Sequence, residues 1–203
     1  MGEARWLTVR AAGGRDLEVL VDGPDHGTVL LFHLGTPSGA VRVPPAVSAA
    51  AKRGLRTVIY SRPGYASSTP QPGRSVADVA EDSEAVLDAL GAERFAALGW
   101  SGGGPHALAC AALLSERCVA AATIASVAPY GVTGLDWFAG MAQENIDEFG
   151  AALKGEAAIS EFLEKASAGL RAVTGGEVAA ALGRRADGRR DSDGATRRPK
   201  VEQ

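Results

Sequence analysis

The sequence predicts an α/β protein, with a mostly parallel β-sheet carrying helices on both faces. Three observations support that expectation. Between residues 28 and 125, short apolar runs alternate with segments of helical spacing, four strands and three helices in turn. Right-handed crossovers onto one parallel sheet produce this order. The stretch TVLLFHL at residues 28–34 is apolar almost without a break, as a strand covered on both faces requires. Finally, a strand-like run at 95–98 leads through a cluster of glycines straight into an alanine-rich helical segment.

The elements follow in order. Residues 6–10 and 17–22 alternate apolar and polar around a Gly13-Gly14 turn, the pattern of half-exposed antiparallel strands. The buried strand at 28–34 is followed by a helix at 41–53 and a second buried strand at 57–60. A helix over 75–90 has a defined start and stop: Ser75 caps it, Asp78 takes the capping-box position and Gly91 ends it. A strand at 95–98, a helix at 103–114 and a strand at 119–125 complete the alternation. Beyond Pro129 the pattern becomes helical alone, at 135–145, 151–172 and 177–182. This gives a core over 1–130 and a helical segment over 131–183, which serves either as a cover (lid) over a site or as packing on a sheet edge. Residues 184–203, RRADGRRDSDGATRRPKVEQ, hold too little apolar surface to offset ordering entropy and are expected to be disordered.

Composition narrows the classes of function. The chain has 203 residues, 46% hydrophobic and 22% charged, with a formal net charge of -3. That balance gives no reason to expect nucleic acid or an anionic membrane as partner. The N-terminus lacks a basic stretch followed by an apolar run, and no apolar run reaches the ~18 residues of a membrane span. Cys110 and Cys118 lie in alanine-rich surroundings, where cysteine acts as a small core residue. Two cysteines and scattered histidines do not make a zinc site. The expectation is a cytoplasmic protein without metal or cofactor.

The segment that points to chemistry is LGWSGGGPHAL, residues 98–108. Gly99-Trp100-Ser101-Gly102-Gly103 fits G-x-S-x-G, a sharp strand-to-helix turn that holds a serine in a strained conformation. Small residues two before and two after let strand and helix approach closely. The serine hydroxyl is thereby lifted to a helix N-terminus, whose amides favour developing negative charge. A glycine-rich turn without chemistry and a nucleotide-binding loop are the rival readings. No G-K-S/T ending and no G-x-G-x-x-G spacing is present, which argues against the second.

Three segments together resemble the α/β-hydrolase superfamily, specifically its proline-iminopeptidase-like branch. His33-Leu34-Gly35-Thr36-Pro37 resembles the H-G-x-P loop after the third strand. Ser61-Arg62-Pro63-Gly64-Tyr65-Ala66-Ser67-Ser68 resembles the D-R-P-G-Y-G-x-S loop after the fourth, and residues 99–103 resemble the elbow after the fifth. The resemblance covers about residues 5 to 130. It implies the α/β-hydrolase fold, Ser101 as nucleophile, and the backbone N–H groups of Gly102 and Thr36 as an oxyanion hole. One such donor is typically worth about 3 kcal/mol. Leu34 stands where the family has the histidine of H-G, Ser61 replaces an aspartate and Ala66 replaces a glycine; the last two are read as structural positions.

A serine needs an adjacent base to become a strong nucleophile, and in this fold the acid and histidine follow the serine in chain order. Beyond Ser101 the sequence offers only His106, five residues along the same helix and turned by about 140° from the serine's direction. His33 is read as packing or loop support, His26 as a solvated turn residue. Asp136 is the one remotely placed acid. The last strands of the fold have no counterpart, so the chain reads as ended early, with the strand at 119–125 as an exposed edge open to self-association. The implied function is a serine hydrolase acting on a small-molecule ester or amide through an acyl-enzyme, weak or inactive in this chain. A non-catalytic ligand-binding protein is the alternative. Epoxide opening and haloalkane dehalogenation on this fold use an aspartate nucleophile, so Ser101 speaks against both.

Overall fold

A computed structural model describes residues 4–177. The tail expected to be disordered, and the helix expected at 177–182 apart from Glu177 itself, lie outside the described residues. The chain folds as two compact units, one ending at Leu135 and the other beginning at Asp136.

The first unit is built on a six-stranded sheet. In chain order its elements are β1 (Arg5–Arg10), β2 (Asp16–Asp22), β3 (Thr28–His33), α1 (Pro44–Ala51), β4 (Leu55–Tyr60), α2 (Val79–Ala89), β5 (Phe95–Trp100), α3 (Gly104–Leu113) and β6 (Cys118–Ile124). Across the sheet the order is β1-β2-β4-β3-β5-β6. The two opening strands are antiparallel to each other, β2 is antiparallel to β4, and β3, β4, β5 and β6 run parallel. The mostly parallel α/β sheet expected from the alternation is therefore the fold observed.

Helices lie on both faces. On one face Leu17, Val19, Leu31, Val58 and Phe95 pack beneath Val86 and Leu87 of α2 and Ala107 and Cys110 of α3. On the other, Leu20, Phe32, Leu34 and Ile59 meet Val43 and Ala46 beside α1. This double covering is why TVLLFHL carries no alternation: every second side chain faces one apolar layer and the remainder face the other.

The position of the site follows from strand order. From β3 the chain crosses to β4 on one side, then returns through α2 to β5 on the other side of β3. Loops leaving the C-terminal ends of β3 and β5 therefore diverge to opposite faces, and the crevice between them is where open α/β sheets place ligands. His33 and Gly99 are register partners at that end.

Several boundaries differ from expectation for identifiable reasons. The α2 helix begins at Val79 rather than Ser75, because the Asp78 carboxylate accepts from both the N–H and the hydroxyl of Ser75, closing a turn before the helix. Its end is as expected: Gly91 adopts φ 61°, and Ala92 N–H reaches Leu87 O at 2.9 Å while Gly91 N–H reaches Asp88 O at 3.0 Å. That is a Schellman cap. Helix α3 is preceded by a short 3₁₀ turn, Ser101–Gly103. Both cysteines are free, Cys110 buried and Cys118 half-buried.

In the second unit, α4 (Gln143–Leu153) and α5 (Glu156–Arg171) pack on each other. The helix expected to start at residue 135 starts at Gln143, because turns occupy 136–141 and Gly140 takes φ 79°. The helix expected over 151–172 is interrupted at Gly155, φ 106°. Trp137 stacks edge-on against Phe138 and Phe149, at 5.2 and 4.7 Å between centroids. Among the described residues no helix is long and apolar enough to cross a membrane.

Ala66 holds φ 47°, a left-handed conformation that costs a Cβ-bearing residue about 1 kcal/mol. Ala66→Gly should therefore stabilise the protein by about 0.5–1 kcal/mol, and Gly91→Ala should destabilise it by about 1 kcal/mol. Urea midpoints at unchanged m-value measure both; equal midpoints for the two variants would refute the backbone argument.

Candidate active site

The bend at the end of β5 is tight because nothing but hydrogen fits there. A Cβ on Gly99 would lie 2.5 Å from the Gly103 carbonyl oxygen, and one on Gly103 would lie 2.0 Å from the carbonyl oxygen of His33. The chain reverses over a single residue, Ser101, whose φ is 52°. A non-glycine residue rarely adopts that conformation, and holding it there costs energy that the surrounding packing must offset. Trp100, just before it, is 48% exposed.

The loop after β3 faces this bend. A Cβ on Gly35 would lie 3.0 Å from Ser101 Cβ and 3.5 Å from Ser101 Oγ. A Cβ on Gly102 would lie 3.4 Å from Thr36 N and 2.8 Å from Thr36 Oγ1. The structure thus brings Ser101, Gly102 and Thr36 into one small region.

Neighbouring segments hold that loop. Arg62, 4% exposed, donates from Nη1 to Leu34 O at 2.5 Å and reaches Gly35 O from Nη2 at 3.5 Å, and its guanidinium carbon sits 5.0 Å from the centre of the Tyr65 ring. Ser61, fully buried, accepts from Ala40 N–H at 2.7 Å and donates to Glu18 Oε1 at 2.9 Å. One hydroxyl thus ties the β3 loop to β2, using its single donor and a lone pair.

The histidines are occupied elsewhere. His106 bonds through Nδ1 to Gly102 O at 3.0 Å. A carbonyl can only accept, so Nδ1 carries the proton. His33, 3% exposed, lies 3.5 Å through Nε2 from Cys110 Sγ and stacks on His106 with centroids 6.2 Å apart. Burial, then the charge of His106, then that of Arg62 push His33 down to about 3. Burial, followed by the Arg62 charge, lowers His106 to about 4, against the opposing effect of its bond to Gly102. His26 is exposed in the turn before β3, at the opposite end of the strand. Among the described residues no histidine nitrogen is hydrogen-bonded to Ser101 Oγ. Asp136 belongs to the second unit. No cluster of metal-ligating side chains is present among the described residues.

Arg62 stands within a sequence motif yet has no role legible there, because its partners are backbone carbonyls that leave no sequence signal. The bond from His106 back to Gly102 was detectable: the two are four residues apart, one turn of helix.

Comparisons with known proteins bear on the fold. A family profile described as alpha/beta hydrolase fold matches residues 28–151. No curated protein matches the chain. Among solved structures, an epoxide hydrolase from Vigna radiata is similar at 22% identity and TM-score 0.51, over 60% of this chain and 39% of that one. Epoxide hydrolase A from Mycobacterium thermoresistibile is similar at 22% identity and TM-score 0.53, over 60% and 39%. An alpha/beta hydrolase fold protein from Nakamurella multipartita shares 32% identity over 61% and 42%, with TM-score 0.48. The match therefore spans about two fifths of the length of those proteins.

The pH dependence of stability follows from the two imidazoles. Each binds a proton less readily in the folded protein than at the ordinary value of 6.5, so the unfolded chain takes up more protons as the pH falls. Stability should be fully present above about pH 6.5 and decline toward pH 4, with a slope approaching about 1.4 kcal/mol per pH unit for each histidine. His106→Gln should flatten that slope in urea titrations run at successive pH values; an unchanged slope would show that His106 is not held neutral.

Proposed function

The chain belongs to the α/β hydrolase fold family, and on that premise we propose that it is a serine hydrolase acting on a small-molecule ester or amide through an acyl-enzyme. The observation that supports this reading is Ser101 at positive φ on a bend that sets Gly102 against Thr36. In the proposed reaction Ser101 Oγ attacks the carbonyl carbon, and the N–H groups of Gly102 and Thr36 receive the oxygen as it gains charge. Expulsion of the alcohol or amine leaves an ester on Ser101, which water then cleaves. The loop sequences at 33–37 and 61–68 support placement in the proline-iminopeptidase-like branch. Two free cysteines support a reducing, cytoplasmic setting.

The epoxide hydrolases found by structural likeness share the fold at 22% identity. A serine at the elbow favours acyl transfer over epoxide opening for this chain.

Activity is proposed to be weak or absent. All three histidines of the sequence are at 26, 33 and 106, and neither buried one is bonded to Ser101 Oγ. Donors and binding alone retain a residual acceleration, orders of magnitude below that of a complete triad. The same observation favours a second reading, a ligand-binding protein that keeps the site without turning over. Labelling with a fluorophosphonate probe separates the two. Labelling that vanishes in Ser101→Ala supports the hydrolase; an unlabelled wild type that still binds a small ester or its acid supports the binder.

We also propose self-association through the β6 edge. Val119 to Ile124 are exposed and uncharged, and an unprotected strand edge pairs readily. Val119→Lys should lower the mass seen by light scattering; a wild type that is monomeric at every concentration would sink this proposal.

A further inference from the structure

We propose that Arg62 is a positioning residue for the oxyanion donor at Thr36. Its guanidinium grips the carbonyl side of the loop after β3 and so fixes, and strengthens, the N–H on the other side. The inference rests on the acyl-transfer reading of the site, and it concerns a side chain that this reading does not use.

Gly35 O and Thr36 N–H are the two ends of the same amide, and this amide is trans, so they point in opposite directions. Whatever holds the oxygen aims the hydrogen. Gly35 O accepts from Ser38 N–H at 3.0 Å and is approached by Arg62 Nη2 at 3.5 Å, while Nη1 takes the preceding carbonyl, Leu34 O, at 2.5 Å. The planar fork thus spans two successive carbonyls of the loop. With both oxygens turned toward Arg62, the Thr36 N–H points the other way, and Thr36 N lies 3.4 Å from where a Cβ on Gly102 would be. A charged donor on the carbonyl also draws electron density from the amide, which makes its N–H a better donor.

Arg62 is also an unusual cation. Among the described residues the other well-buried guanidinium, Arg15, sits 2.7 Å from Asp82. Arg42 pairs with buried Asp22. Arg62 is 4% exposed, forms no ion pair among the described residues, and its Nε has no hydrogen-bond partner. Removing a charge from water without a counter-ion is costly. Here two carbonyls and the Tyr65 ring are its compensation, and its net charge remains directed at its surroundings. Burial is the main cause of the depression of His33 and His106, and the Arg62 charge adds to it at both rings. A fixed positive charge behind the amide favours the negative charge that grows on a carbonyl oxygen under attack.

The test uses the full chain, isotope-labelled for NMR, with Arg62→Met, Arg62→Gln and Arg62→Lys. In Arg62→Met the Gly35 carbonyl carbon and the Thr36 amide proton should both move upfield, while core resonances such as those of Leu17 and Phe95 stay in place. Fluorophosphonate labelling of Ser101 should slow about tenfold, and Arg62→Lys should recover part of both effects. Unshifted Gly35 and Thr36 resonances with labelling at the wild-type rate would overturn the proposal. Should Arg62→Met fail to fold, Arg62→Gln is read in its place, with the same shifts expected and the same absence fatal. Shifts that appear while neither wild type nor variant is labelled would uphold the positioning role and defeat the acyl-transfer reading instead.

Discussion

The contact on which the rest of the site depends is the approach of the elbow to β3. A side chain at Gly103 would overlap the His33 carbonyl, one at Gly99 would overlap Gly103 and Gly104, and one at Gly104 would fall 1.9 Å from Ser126 Oγ. Three glycines therefore let α3 begin almost on top of the strands. Because the chain cannot spread its reversal over several residues, the reversal is concentrated at Ser101, and its cost appears as a positive φ. The strained backbone of half-buried Ser101 and the juxtaposition of Gly102 with Thr36 both follow from close packing one layer below.

Electrostatics around the bend follow from the same packing. Burial keeps His33 and His106 neutral through the whole physiological range. Arg62 is the charged group packed near both rings. Among the described residues a buried cation thus sits near two neutral rings. A histidine held this far below 6.5 is a poor candidate for catching a proton at neutral pH, and here both buried histidines already have other partners. His106 supports the first turn of α3, and His33 packs against Tyr60, His106 and Cys110.

Much of the fold was legible because burial writes itself into composition. TVLLFHL could only be a strand covered twice, and the glycine cluster after β5 could only be a tight strand-to-helix bend. Errors arose where local hydrogen bonds compete with helical spacing. Ser75 and Asp78 have the residue types of a capping box, yet the carboxylate closes a turn on its own and the helix starts at Val79. Residues 135–145 have helical periodicity, but Gly140 at φ 79° and the turns around it take precedence. Of the candidate site, Ser101 was read from the G-x-S-x-G spacing, and Gly102 and Thr36 from resemblance to loop patterns. Arg62 was not, since a guanidinium satisfied by carbonyls looks in sequence like any arginine.

The separation between holding an oxyanion and activating a nucleophile is the lesson of this geometry. On the proposed reading, the donors at Gly102 and Thr36 are held by backbone packing, by contacts from Arg62 and Ser38, and by the His106 ring on Gly102 O, none of which takes a proton from Ser101. A proton acceptor for Ser101 would have to come from a different element, and its presence or absence leaves the donors untouched. Removing a base from a working triad therefore leaves a site still shaped for a carbonyl compound, with binding and residual electrostatic stabilisation intact. On the proposed reading, slow hydrolase and ligand-binding protein share one structure. They differ in a single proton transfer, while the strained serine, the paired amides and the buried cation behind them are common to both.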